Sequence, residues 1–199
     1  VRSVLGGFRE VTGTPIAPGM KALFQVEVKL TAQYGFSLDI LQIDASYTLG
    51  ELERERRMTI DRLTKEGLLT KNKQLEMPVV AQRIAVISSS GAAGYGDFVH
   101  QLSRNSAGYL FQHELFETLV QGDGAPSSIM TALKAIVKRR DDFDVVVVIR
   151  GGGSKIDLHC FDSYEVASAI AWMKLPVITG IGHERDESVT DMVAHTKCK

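Results

Sequence analysis

Val145-Val146-Val147-Val148-Ile149-Arg150-Gly151-Gly152-Gly153-Ser154 is the stretch that decides the fold. Five consecutive β-branched apolar residues read as a strand buried on both faces, the mark of a parallel sheet covered by helices. The strand runs out into an arginine, three glycines and a serine. Glycine at that point lets a backbone come close to its neighbour. Arginine brings a fixed cation with a planar fork of donors suited to phosphate. In open parallel sheets, ligands lie at the carboxyl ends of the strands. Taken alone, the stretch reads more plainly as a tight loop with Arg150 paired to a structural carboxylate. The functional reading rests on what else converges on the same edge.

Outward from this strand, residues 81–199 alternate strand and helix. Strands are expected at 83–88, 108–112, 144–149 and 177–180, and helices near 94–105, 126–139, 162–173 and 186–195. That order predicts a parallel sheet with helices on both faces. The first strand is followed by Ser88-Ser89-Ser90-Gly91-Ala92-Ala93-Gly94-Tyr95-Gly96-Asp97. Small hydroxyl and glycine residues at a strand-to-helix turn suit an anion at a helix N-terminus, although Asp97 alone reads as a solvated first-turn acid. The dinucleotide glycine spacing matches poorly and the Walker lysine is missing. The fourth strand is followed by Gly180-Ile181-Gly182-His183-Glu184-Arg185-Asp186. His183 is a histidine, the residue type able to give or take a proton near neutral pH, and Asp186 can orient its ring or cap the next helix.

Upstream, residues 1–46 carry β signals. Leu23 to Leu30 and Phe36 to Ile43 alternate with a period near two, with turns at Pro15, Pro18-Gly19 and Tyr34-Gly35. These suit part of a small antiparallel barrel or sheet. Phe24, Tyr34 and Phe36 can stack bases or fill a core. Residues 48–66 read as a helix, with Thr48 and Glu51 forming a capping box and Gly67 ending it. Its acids and bases balance, as on a solvated face. Residues 68–80 read as a polar linker closing at Pro78.

Bulk properties exclude little. The chain has 199 residues, a net charge of −1, 44% hydrophobic and 24% charged residues, as in a soluble globular protein. No stretch approaches the roughly 20 apolar residues of a membrane span. Two cysteines, Cys160 and Cys198, make no framework and point to a reducing cytoplasm. Composition gives no support for a nucleic-acid partner and does not exclude one. The chain starts at Val1 and ends at Lys199 directly after a helical pattern, and is read as a piece of a longer protein.

The loops place an arginine, a histidine and carboxylates around one crevice. Phosphodiester hydrolysis needs a cation for charge developing at phosphorus, a base for water and an acid for the leaving oxygen. Arg150 fits the first role. His183 fits the second or third, with Asp97 or Asp186 supplying the other. Asp97, Asp157, His183 and Asp186 could instead bind a metal, but there is no H-E-x-x-H motif and no dense carboxylate cluster. A metal-independent site is expected. A nucleotide-binding enzyme acting on a small phosphorylated substrate is the alternative, with Glu114 or Glu117 at the distance of a ribose-binding acid. His159, Cys160, His100 and His113 carry no ligand spacing. Trp172 sits in an apolar helical pattern and is assigned to the core.

Several motifs resemble those of the exonuclease VII large subunit family. Arg150-Gly-Gly-Gly-Ser154 with Asp157-Leu158 and Phe161-Asp162 is similar to its RGGGSxxDLxxFN signature. Gly182-His183-Glu184-Arg185-Asp186 resembles its GHETD, with Arg185 in place of a threonine. Val120 to Pro126 resembles VQGDDAP, and Glu66-Gly67-Leu68-Leu69 with Lys73 and Pro78 resembles its linker. In the first loop, Gly91-Ala92-Ala93 comes one residue early and Gly94-Tyr95-Gly96 intervenes before the acid.

The resemblance implies a fold class: an α/β, Rossmann-like three-layer catalytic domain with a parallel sheet over 81–199. A helix and linker over 47–80 and a partial antiparallel OB-fold binding single-stranded DNA over 1–46 would precede it. A coiled coil carrying small subunits would follow beyond this chain. It also implies cleavage of single-stranded DNA from both ends to short 5′-phosphorylated oligonucleotides, without a required metal, in the cytoplasm. The implied catalytic set is Asp97, Arg150, His183 and Asp186. Ser88, Ser89, Ser90, Gly91, Gly151, Gly152, Gly153 and Ser154 are the expected phosphate-binding residues.

Overall fold

The computed structural model describes residues 2–17, 20–31, 35–152, 156–182 and 187–198. The chain divides into two units, 1–55 with 154–157, and 56–153 with 158–199.

The first unit opens with a helix, α1 (Arg2–Thr12), where β structure was expected. Val4 and Phe8 lie four residues apart, on one helical face. Phe8 is 2% exposed and packs with Ile43 and Ala45. The helix stops where Thr12 Oγ1 turns back to the Phe8 carbonyl (2.8 Å) and Gly13 takes a φ of 78°. The two alternating runs form the antiparallel hairpin β1 (Leu23–Thr31) and β2 (Gly35–Asp44). Val28 faces Leu38 and Leu30 faces Phe36 across it, yet Leu30 is 81% and Phe36 68% exposed. The turn residues Pro18, Gly19 and Tyr34 lie outside the described residues.

β2 runs without a loop into α2 (Ala45–Lys65). The helix therefore starts three residues before Thr48. Asp44, not Thr48, caps it, its Oδ1 accepting the Tyr47 N–H (3.1 Å). Thr48 is buried within the first turns. At the other end Gly67 takes a φ of 68°. Its N–H donates to the Thr64 carbonyl and that of Leu68 to the Leu63 carbonyl, a Schellman closure that brings two core leucines together. The segment after it is not merely a polar linker. Asn72 is fully buried, its amide donating to the Leu175 carbonyl (3.1 Å) and its oxygen accepting from the Val177 N–H (2.9 Å).

The second unit is built on β3 (Arg83–Ser88), α3 (Ala93–Ser103), β4 (Gln112–Glu117), α4 (Ala125–Lys138), β5 (Val145–Ile149), α5 (Tyr164–Ala171), β6 (Val177–Gly180), α6 (Val189–Val193) and β7 (Thr196–Lys197). The five strands are parallel, in the order β4-β3-β5-β6-β7. The molecule is α/β, as expected. Every residue of β5 is buried. Val146 and Val148 point into the core shared with α4, α5 and α6, whereas Val145, Val147 and Ile149 meet Tyr95, Phe98 and Leu102 of α3. The valine run thus serves two cores by strand alternation. Each such side chain contributes about 1.5–3 kcal/mol relative to exposure.

The boundaries of one strand and one helix differ from expectation. Residues 108–112 form a loop up to Phe111, because Asn105 grips both the N–H and carbonyl of Tyr109. The strand follows at Gln112–Glu117 and is half polar because it is an edge strand. The helix expected over 186–195 shortens to α6, where Ser188 and Asp191 form a reciprocal capping box, and the chain then pairs with β6 as β7. The core positions of α5 are Val166, Ala167, Ile170 and Ala171. Trp172 falls off that stripe. It is 57% exposed, so its assignment to the core is overturned. Among the described residues no helix is long and apolar enough to cross a membrane.

Candidate active site

β3 is followed by α3 and then β4 on one side, whereas β5 is followed by α5 and then β6 on the other. α3 and α5 pack on opposite faces. The carboxyl ends of β3 and β5 are therefore a topological switch point, the place where open α/β sheets bind ligands.

Two loops meet there at backbone contact. A Cβ on Gly94 would lie 2.9 Å from the Arg150 carbonyl oxygen and 3.1 Å from Ile149 Cγ2. One on Gly151 would lie 3.2 Å from the amide nitrogen of Ala93, the first residue of α3. Gly94, which interrupts the expected first-loop motif, is thus required by the contact. The same two loops are tied by Ser88, whose buried hydroxyl donates to the Ile149 carbonyl (2.9 Å). Ser88 therefore joins the strand ends, its hydroxyl turned to the Ile149 carbonyl. On the other flank, the Arg150 N–H donates to the Gly180 carbonyl (3.0 Å). The residue as a whole is 7% exposed. A permanently charged residue is thus buried at the carboxyl end of β5.

The remaining expected residues are placed as follows. Ser89 accepts the Ala92 N–H at its carbonyl (2.9 Å), closing the turn into α3. Gly91 and Ser90 are exposed at the tip. Asp97 lies in the second turn of α3, exposed and off the Tyr95–Phe98–Leu102 stripe that packs on the sheet. Its carboxylate makes no hydrogen bond or ion pair among the described residues. Gly151 and Gly152 continue from Arg150. Gly153, Ser154, His183 and Asp186 lie outside the described residues. Among the described residues no group of three or more His, Cys, Asp or Glu could hold a metal ion.

Acids outside the expected catalytic and phosphate-binding sets organise these loops. Glu117 ends the edge strand β4. Both its oxygens take the Ser90 N–H (3.0 Å each), and one also takes the Ser90 hydroxyl (3.2 Å). Glu114 is held by Arg139 in a two-pronged pair at 2.6 and 2.9 Å. Both acids that a ribose-binding reading needs are therefore engaged by protein groups, which disfavours the nucleotide-enzyme alternative. Asp162 accepts the Val189 N–H (2.8 Å) at the start of α6. Arg56 lies 3.9 Å from the same carboxylate and donates to the Glu187 carbonyl (3.1 Å). Thr190 adds a bond to the Phe161 carbonyl (2.7 Å). The segments following the two glycine loops are thereby joined. The signal for Asp162 was its place in the Phe161-Asp162 pair. Glu117 was singled out only as a ribose-binding acid, by its distance from the first loop.

The family model described as exonuclease VII, large subunit, matches residues 68–199. A relative named exodeoxyribonuclease 7 large subunit from Deinococcus radiodurans is 35% identical over 190 residues, covering 94% of this chain and 46% of the relative. This chain belongs to the exonuclease VII large subunit family. Family members of the same name from Cyanothece and Nostoc are 42% and 41% identical, over 69% and 67% of this chain and 32% of each relative. The chain spans less than half the length of these relatives. The family match begins at Leu68, one residue past the Gly67 turn that closes α2.

Proposed function

We propose that this chain is the catalytic portion of an exodeoxyribonuclease. It would hydrolyse phosphodiester bonds of single-stranded DNA from both ends, to short oligonucleotides with 5′-phosphates. The observation that carries the reading is the buried Arg150, between two backbone-locked glycine loops at the switch point of a sheet whose sequence belongs to this family. In this reading Arg150 meets the charge that develops on the non-bridging oxygens as water attacks phosphorus. His183 and one of Asp97 or Asp186 divide the work of deprotonating that water and protonating the leaving oxygen. Backbone N–H groups at Gly91 and Gly151 to Gly153, with the Ser154 hydroxyl, hold the phosphate, whereas the Ser90 N–H and hydroxyl are taken by Glu117. The positive charge comes from the guanidinium, and a divalent metal is not required.

The β1–β2 hairpin is read as part of an OB-fold that grips single-stranded DNA. Its bare Val28, Leu30, Phe36 and Leu38 face supports this, because an isolated two-stranded hairpin is marginally stable and needs further strands against such a face. A small subunit carried on a coiled coil and a cytoplasmic location complete the proposal.

The test is hydrolysis of labelled single-stranded DNA in EDTA by the full-length large subunit with its small subunit, beside Arg150→Ala, Arg150→Lys and His183→Ala. Cleavage to oligonucleotides that resists EDTA and is lost in the variants supports the reading. Cleavage that returns only with magnesium moves the acids into a metal site. Binding without cleavage under either condition removes the enzymatic reading.

A further inference from the structure

The outer face of α5 carries a second feature that the catalytic edge does not use. Tyr164, Ser168 and Trp172, four residues apart, line one face of an open cavity of about 410 Å³, with Arg62 and Met130 at its walls. Each aromatic ring carries a cation. The Arg62 guanidinium lies 3.4 Å from the Tyr164 ring centre, and the Lys71 ammonium 3.5 Å from that of Trp172. Cations over aromatic faces are attracted by the ring quadrupole.

The two pairs differ in charge. Glu66 takes both Arg62 (3.1 Å) and the Tyr164 hydroxyl (2.5 Å). The Tyr164 hydroxyl bond is the larger cause of a Glu66 pKa held below the ordinary value. That pair is locally neutral. Lys71 has no carboxylate partner among the described residues, and more than half of Trp172 is exposed. The Glu165 carboxylate also lines the cavity, beside Tyr164, where it accepts the Ser163 hydroxyl (2.8 Å); at the other end of this groove, the exposed Trp172 ring lies against the uncompensated Lys71 cation.

Its course is also informative. Tyr164 begins α5 two residues after Asp162, on the side of the carboxyl edge, and Trp172 ends it five residues before β6 starts at the opposite edge. Eight helical residues span about 12 Å. The groove follows α5 from its first residue to its end. Stacking surface plus a cation for the backbone is the chemistry by which proteins hold single strands without reading sequence.

We propose that the α5 groove is a track for single-stranded DNA, in which a base stacks on Trp172 and Lys71 meets the adjacent phosphate. The inference rests on the DNA reading above.

The test uses the full-length protein and a dye-labelled oligothymidylate. Binding is followed by the dye's anisotropy, and the site by the tryptophan emission that disappears in Trp172→Phe. The expected result is a change of Trp172 emission that tracks the anisotropy. Trp172→Ala is expected to weaken binding about tenfold. In Lys71→Ala the slope of log K against log salt falls by about 0.7. Binding by anisotropy with unchanged Trp172 emission, and with both variants binding as wild type, overturns the track and leaves the groove to a protein segment. Absence of any binding by anisotropy overturns the DNA reading itself, and the track with it.

Discussion

Gly94 and Arg150 touch through their backbones: any Cβ at position 94 would come within 2.9 Å of the Arg150 carbonyl oxygen. The contact joins the start of α3 to the strand end that carries Arg150, so the backbone approach at that residue depends on a missing methyl group.

Gly94→Ala is expected to lower stability by about 1–3 kcal/mol through overpacking and to reduce DNA hydrolysis by displacing Arg150. Gly96, two residues on in the same helix, meets nothing within 4 Å. There Gly96→Ala gains helix propensity, about 0.5–1 kcal/mol. Denaturant midpoints of the two variants should therefore move in opposite directions. Equal shifts would remove the steric argument.

Glu117 holds the tip of the first loop through Ser90. In Glu117→Ala the Ser90 amide loses its acceptor, and its hydrogen exchange is expected to speed up about fivefold. Glu117→Gln keeps one carbonyl oxygen and should recover part of that protection. An unchanged Ser90 exchange rate in Glu117→Ala would show that the turn holds itself.

The central strand was legible because burial on both faces leaves no room for polar residues, so Val145 to Ile149 could mean little else. β3 and β6 were legible for the same reason. The edge strand β4 was not, since its start is exposed on both faces and lets Gln112, His113 and Glu114 replace apolar residues, while the apolar Leu110 sits in a loop fixed by Asn105. α1 was missed because only Val4 and Phe8 mark its inner face. Arg150 and the glycines around it could be read from their residue types. The role of Gly94 could not, because it depends on a carbonyl 56 positions away. Trp172 was misread because apolar composition alone does not show where the core stripe of α5 ends.

Asp162 links the start of α6 to the chain that follows the Arg150 loop. Its carboxylate is mostly buried, with 11% of the side chain exposed. Asp162→Ala would leave the Val189 N–H without an acceptor, at about 1–3 kcal/mol. Asp162→Asn keeps an oxygen at that place and should restore most of the loss. Denaturant midpoints at constant slope separate the two. If both variants are equally destabilised, the charge beside Arg56 matters more than the bond to Val189.

Asp144 makes the stability of the sheet depend on acid. It stands at the amino edge just before β5. Its carboxylate accepts the Gln82 and Arg83 N–H groups (2.9 and 2.8 Å) and the Arg83 guanidinium (2.6 Å), pinning the start of β3. Burial pushes the Asp144 pKa up, but Arg83 and the two N–H groups outweigh it and hold the group below its ordinary value of 3.8. A depressed folded-state pKa means that the unfolded chain takes up the proton first. The stabilisation is therefore complete above about pH 4 and is lost as pH falls through the folded-state value. Arg83 is about half exposed, so solvent screens its share, and the two backbone bonds set the scale. Asp144→Asn is expected to be about 1 kcal/mol less stable at pH 7, with the difference from wild type shrinking below pH 4. A difference that stays constant from pH 7 to pH 3 would mean that the ionised carboxylate is not what holds β3 to β5.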